Sequence, residues 1–369
     1  MDVAAMLQEM RDPMGVPFHP WFFQGLMVFF FALHIFMINI AMGSAAVALW
    51  GRWKGGEFPG RLSAALARAV TVHLSLAVLL GIVPLLFVQV IYDPFWYSST
   101  SLSAWWAMLF VLAVMSGFLA LYAFYLRGRR RPGAGSVFGL FALGCILGGG
   151  MVMHLLSMQA LAPERWAEWF APAGKMVTSG WGFHAFSPGR FFHFIAPAFI
   201  QTGIFLMLYA WYLSPRPDAD PAYLRWAASA GARMAGYAAL AEAATGGWFL
   251  IEVPGEFRFA LDPFLLAGSA LGVALIVLLF AARRDPIRYA LPAVLLAFAT
   301  NLIMAAARES LRMDYVGRYG YSVYDYPLHL DWGSTMFFLG TLAVGLVVTA
   351  YPVLIAFKVG RRGPLGEEG

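Results

Sequence analysis

The sequence predicts an all-α protein, a polytopic membrane helix bundle of about nine transmembrane helices. Three observations predict it. Hydrophobic residues make up 61% of the 369-residue chain and charged residues only 12%, with a mean hydropathy of +0.70. Soluble globular chains carry about 45–50% apolar and about 25% charged residues. Nine apolar runs are each long enough to cross the hydrocarbon core as a helix, which takes about 20 residues. Clusters of Arg, Asp, Gly and Pro separate these runs, as in GRWKGGEFPGR, RGRRRPGAG, SPRPDADPAY and ARRDPIRY; such residues stop helices and turn the chain.

Taken in order, residues 1–20 contain no apolar core with a cleavage site and are expected to form a surface segment, not a signal peptide. Spans are expected at 21–50, 68–92, 103–126, 136–161, 191–213, 229–252, 262–282, 287–307 and 333–357. The membrane domain thus covers 21–357, and 358–369 form a tail. An odd number of spans puts the termini on opposite faces. If the N-terminus lies on side A, that side holds Arg11, Arg165, Lys175, Arg190, Arg258, Arg308, Arg312 and Arg318. Side B holds the other 17 of the 25 basic residues, including Arg52, Lys54, Arg127, Arg129, Arg130, Arg131, Arg283, Arg284 and Arg288. Short cytoplasmic loops collect Lys and Arg. The expectation is therefore an inner (cytoplasmic) membrane protein with its N-terminus outside and its C-terminus in the cytoplasm. The net charge of +5 is an orientation signal, and nucleic acid is not expected as a partner. Side A carries two long aromatic-rich connections, 162–190 and 308–332, which either anchor at the interface or serve a function.

The single Cys145 excludes a disulfide within the chain, and no CxxC or CxxCH motif occurs. Polar groups inside the spans are the informative residues, because their desolvation must be offset. They are His34, His73, His154, His193 and Glu242, with amides at Asn39, Gln89, Gln159, Gln201 and Asn301. At 1.5 Å per residue, His154 and His193 fall at similar depth near side A, His34 near the middle of its span and His73 nearer side B. Small residues flank several of them: Gly150 beside His154, Ala196 beside His193, Ala41 and Ala45 on the His34 face. A flat macrocycle needs that room, and neutral imidazole is the commonest axial ligand of haem iron. His34, His193, His154 and His73 are thus candidate haem-binding residues, the first three as iron ligands. The plainer reading of each is a hydrogen bond between helices. A zinc site is disfavoured, since no closely spaced HxxxH or HxxE pair occurs. Glu242 is either a proton-relay group or a neutral acid bonded to a neighbouring helix. Methionines such as Met153, Met158, Met207 and Met304 are further possible iron ligands that spacing cannot rank.

Three segments carry a resemblance: FALHIFMINIAMGSAAVALW around His34, LAVLLGIVPLLFVQVIYDPFWYSS, and SPGRFFHFIAPAFIQTGIFLMLYAWYL around His193. Their order resembles subunit I of the cytochrome bd quinol oxidase superfamily, and GGGMVMHLLSMQALAPERW is similar to that family's fourth helix and exit. The likeness covers about the first 250 residues. It implies that His34 ligates a haem on the active-site side and His193 the low-potential b haem, and that quinone is the substrate. It also places a glycine-containing turn at the end of the second helix. The departures are equally specific. The family's proton-feeding glutamates are replaced by LLFVQ and SAWWAML. The outer quinol loop shrinks to VPGEFRFALD. The expected methionine ligand is missing from LDPFLLAGSALGVALIV, and ARESLRMDY stands near the place of a Gly-Arg-Gln-Pro-Trp type motif. The resemblance therefore implies a divergent branch that does not reduce oxygen. With that methionine gone, depth makes His154 the candidate to share an iron with His193, and Arg190, Arg308 and Arg312 are placed either to meet haem propionates or to anchor at the interface.

The function expected is a b-type haem membrane subunit that passes electrons between the quinone pool and an external redox partner, such as a c-type cytochrome or another membrane subunit. Two alternatives stand beside it: a haem-free membrane anchor of a redox complex, and a proton-coupled transporter using Glu242 and His73.

Overall fold

The computed structural model describes residues 2–128 and 132–362. Arg129, Arg130 and Arg131, counted above for orientation, and residues 363–369 of the tail lie outside the described residues. Thirteen α-helices follow one another: α1 (Val3–Glu9), α2 (Pro20–Lys54), α3 (Glu57–Ile91), α4 (Asp93–Leu102), α5 (Ala104–Gly128), α6 (Pro132–Ala160), α7 (Trp166–Phe170), α8 (Pro188–Ile195), α9 (Pro197–Leu213), α10 (Pro221–Glu252), α11 (Pro263–Ala281), α12 (Ala290–Gly317) and α13 (Trp332–Arg362). Among the described residues eight helical stretches are long and apolar enough to cross a membrane, with α8 and α9 forming one of them. The 32-residue α10 completes a bundle of nine long stretches. Its Ala- and Gly-rich sequence, carrying Arg225, Arg233, Glu242 and Glu252, makes it less apolar than the rest.

Turn chemistry sets the element ends. Gly55 and Gly56 adopt φ of 66° and 85° between α2 and α3, a conformation that costs a residue with a Cβ. The Asp220 carboxylate accepts from the N–H groups of Ala222 and Tyr223, and that of Asp262 from Leu265, capping α10 and α11. Pro197 has no N–H to give to the His193 carbonyl four residues back, so the fifth span breaks into α8 and α9 directly after His193. By contrast α3 runs unbroken through Gly81 and Pro84 to Ile91. The glycine-containing turn implied by the resemblance is here a helical glycine.

α2 is the central helix, packing against α3, α6, α9 and α12. At 35 residues and about 1.5 Å per residue it is about 52 Å long, well beyond a hydrocarbon core of about 30 Å. Trp50 and Trp53 project from its exposed end, where aromatic belts lie. The bundle has two unlike ends. End A gathers residues 2–20 and the connections 161–187 and 318–331. Leu7, Val16, Trp166, Trp169, Tyr321 and Tyr326 form one buried cluster there. Val16 pairs with the last connection, its N–H donating to the Pro327 carbonyl at 2.9 Å. End B carries short connections, and Arg61 of α3 meets Asp220 before α10 at 2.6 Å.

Candidate functional site

A cavity of about 470 Å³ opens between α2, α3, α5, α6, α8 and α12, toward end A. Its volume lies in the range of about 300–1,000 Å³ typical of cofactor sites. The wall is mostly aliphatic and aromatic, with Phe31, Ile35, Val78, Phe110 and Phe194 among its residues. Five ionisable nitrogen-bearing side chains interrupt it: His34, His154, Arg190, Arg308 and Arg312. Among the described lining residues there is no carboxylate.

His34 stands on α2 with Nδ1 2.7 Å from the Ala77 carbonyl of α3. A carbonyl only accepts, so Nδ1 carries the proton and Nε2 keeps its lone pair. A second partner that fixes the tautomer is how proteins present an imidazole to a metal. Gly81 makes the approach possible, because a Cβ there would stand 2.6 Å from His34 Nδ1. His154 on α6 is held differently. Its Nε2 accepts from the Ser187 N–H at 3.2 Å, and its ring packs edge-on against Phe186 and Phe191.

The arginines give the cavity its charge. Arg190 is buried, its Nη1 donating to Met158 Sδ at 3.2 Å. Arg308 lies over the Phe31 ring at 4.2 Å. Neither has a carboxylate within ion-pair distance among the described residues. Arg312 alone is paired, with Glu309 at 3.2 Å. Glu309 is buried and also accepts from Tyr92 OH at 2.6 Å and Gln24 Nε2 at 3.3 Å, while Gln24 Oε1 accepts from Tyr324 OH at 2.7 Å. Burial and the Glu309 charge push the Tyr92 hydroxyl well above its ordinary pKa, so it donates to Glu309 as a neutral phenol. One carboxylate serves three guanidinium groups. A buried cation without a partner is costly, so the site favours an anion.

Behind this cluster lies a second one at end A. Tyr326 OH bonds Asp93 Oδ1 closely and Tyr321 OH at 2.6 Å, and Arg11 covers both rings at 4.2 and 4.9 Å. Burial raises the Asp93 carboxyl, against the lowering bonds from Tyr326 and the Asp12 N–H. Sequence reasoning missed Tyr92, Gln24, Asp93 and Tyr326. They lie at helix ends and in connections, where Tyr is ordinarily read as an interfacial anchor.

His193 faces away from the cavity. Its Nδ1 is 2.9 Å from Glu242 Oε1 of α10, off the line of an aligned hydrogen bond. The ring stacks on Phe249, and Gly246 leaves it room, a Cβ there falling 3.2 Å from Cε1. The structure thus brings His193 to Glu242 and not to His154, which packs on Phe191, two residues away on a different face of α8. His73 lies apart from both, edge-on to Phe205 at 4.7 Å with Nδ1 buried and unbonded.

The cavity's residues fit a haem. His34 offers a tautomer-fixed ring, Arg190 and Arg308 are unpaired cations beside it, and Gly150 lines the wall with open space where a Cβ would stand. His193 does not line this cavity and is not brought to the same site as His34.

No protein-family model matches this chain, and no curated protein matches it. A solved structure, the bd oxidase from Geobacillus thermodenitrificans, superposes on it with a TM-score of 0.71 at 14% identity, over 94% of this chain and 100% of that one. At that identity the likeness is one of fold: the chain has the helical membrane bundle of a bd oxidase.

Proposed function

We propose that this chain is a b-type haem subunit of a membrane redox complex, passing electrons between the quinone pool and an external redox partner at end A. The observation that carries the reading is the cavity that His34, with Nδ1 committed to Ala77, lines together with Arg190 and Arg308, two cations lacking carboxylates. The bd-oxidase-like fold supports it. Bound haem would supply reversible one-electron transfer at its iron. The chain's own residues do the rest. His34 Nε2 would ligate the iron, Arg190 and Arg308 would hold the propionates, and Arg312 is kept in register by Glu309. The apolar wall excludes water.

His193 and His154 are the further candidate ligands. Glu242 is the proposed proton-relay group, its Oε1 standing 2.9 Å from His193 Nδ1. The chain is assigned to the cytoplasmic membrane with end B inside, because Arg52, Lys54, Arg283, Arg284 and Arg288 gather there. Oxygen reduction is not part of the proposal. Among the described residues the cavity wall has no carboxylate to deliver protons, and Gln89, near the end of α3, donates to the Leu85 carbonyl of its own helix.

The test is a reduced-minus-oxidised spectrum of the purified chain, with pyridine-haemochrome quantification, for wild type and His34→Ala. Haem b bands that shrink in the variant support the assignment. A folded wild type without haem leaves only the anchor reading.

A further inference from the structure

α13 is unlike every other span. None of its most apolar window is buried, whereas the other seven apolar spans bury 17–44% of theirs. Leu346, Val347 and Val348 are each more than 60% exposed. Successive residues turn about 100°, so more than half of the circumference is free at that level. The helix is held at its ends. At end A, Trp332 meets Phe18 with ring centroids 5.5 Å apart. At end B, Tyr212 OH donates to the Phe357 carbonyl at 3.0 Å, and Arg216 Nη1 to the Gly360 carbonyl at 3.3 Å. Gly360 is needed for this approach, since a Cβ would collide with the Tyr212 hydroxyl.

A groove of about 470 Å³ lies at that end, lined by Pro215, Phe357, Lys358, Arg361 and Arg362. Arg361 rests on the Trp211 ring at 4.3 Å. None of the three cations has an ion-pair partner among the described residues. Arg216, by contrast, is committed to Asp218 at 2.7 Å. Three cations and an aromatic floor thus converge on a recess at a helix end, above a helix flank that no protein side chain covers.

We propose that this recess is a binding site for an anionic phospholipid. Its phosphate lies among Lys358, Arg361 and Arg362, and its acyl chains fill the space between α13 and α9. Basic pockets between helices on the cytoplasmic side recognise such headgroups. Here the lipid also supplies the packing that α13 lacks. The proposal is independent of the haem assignment. It also requires more than basic residues on the cytoplasmic side, because Arg284 and Arg288 lie at the same end without lining this groove.

The experiment uses the full chain, delipidated in a neutral detergent. Thermal melting and intact-complex mass are recorded with mixed micelles of phosphatidylglycerol, with phosphatidylcholine, or with inorganic phosphate alone. The expected result is a mass adduct and a raised Tm with phosphatidylglycerol only, since a ligand that binds the folded state stabilises it by mass action. The shift is lost in Lys358→Gln/Arg361→Gln/Arg362→Gln and retained in Arg284→Gln/Arg288→Gln. Equal stabilisation by phosphatidylcholine overturns the headgroup assignment, and an equal effect of inorganic phosphate overturns the lipid. Loss of the shift in the Arg284/Arg288 variant overturns the site, as does a co-purifying polypeptide that occupies α13 in place of lipid. The wild-type comparison of the three additives decides the matter even if the triple variant fails to fold.

Discussion

His34 and His193 are both imidazoles on apolar helices, and the molecule treats them in opposite ways. His34 is met by a backbone carbonyl, which is neutral and fixes one tautomer, and it lines a cavity. His193 is met by a carboxylate, stacks on Phe249 and does not line that cavity. The side chains of the His193–Glu242 pair remain 23% and 20% exposed. A neutral partner fixes the ring's tautomer and leaves Nε2 its lone pair. A carboxylate partner places an acidic oxygen 2.9 Å from His193 Nδ1. The same residue type on an apolar helix thus meets two kinds of surroundings, and the neighbouring helix decides which.

The sharpest way to break this contrast is His34→Ala. It should abolish the cavity's haem spectrum, while His193→Ala leaves that contribution in place; equal losses in both variants would dissolve the distinction. Next in size is Glu309→Ala, which leaves Arg312, its side chain only 14% exposed, as a third cation without a carboxylate. Removing one member of a buried pair costs about 3–5 kcal/mol, to be read from denaturation of the full chain in detergent. Glu309→Gln, which keeps the acceptor for Tyr92, should cost less. Gly81→Val drives a side chain into the His34 ring. Overpacking costs about 1–3 kcal/mol, and the variant should lose haem in proportion, whereas Gly247→Ala, with open space around it, should not.

A smaller effect is expected at Asp93. In the unfolded chain this carboxyl ionises near its ordinary value of 3.8, and burial raises it in the folded one. The folded state therefore holds the proton more tightly. The stabilisation is complete below 3.8 and is lost as pH rises through the raised value. Melting of wild type relative to Asp93→Asn should fall across that window and stay flat above it. The smallest stability effect belongs to Glu242→Gln, because the pair is partly exposed. With Glu242 in the proposed relay role, the variant should slow proton uptake that accompanies reduction, while the His34 signal is unmoved.

The span pattern was largely legible because lipid imposes it: 20-residue apolar runs have few alternatives. α10 was placed at 229–252 from its Ala-rich run, and the helix reaches back to Pro221, where Asp220 caps it. His34 stands out in the sequence because an ionisable group in an apolar run needs a reason, and Arg190, Arg308 and Arg312 only because they lie near side A, where anchoring at the interface accounts for them equally well. The pairing of His154 with His193 was inferred from depth. Depth fixes height along the membrane normal and says nothing of azimuth; the two rings lie on different faces around α8, so the shared height brought no contact. Glu309 was visible only as part of ARESLRMDY. Its importance comes from Tyr92, Gln24 and Arg312, which reach it from 217, 285 and three residues away.

By itself the sequence determined that the chain spans a membrane as a helix bundle, where its spans lie and which side chains are out of place in oil. Those follow from composition and period, which are local. Only the tertiary structure decided which of those side chains share a cavity, which histidine has a carbonyl and which a carboxylate at its shoulder, and that α13 stands uncovered. Each of these depends on the rotation of one helix against another, and that rotation is set by packing among residues far apart in the chain.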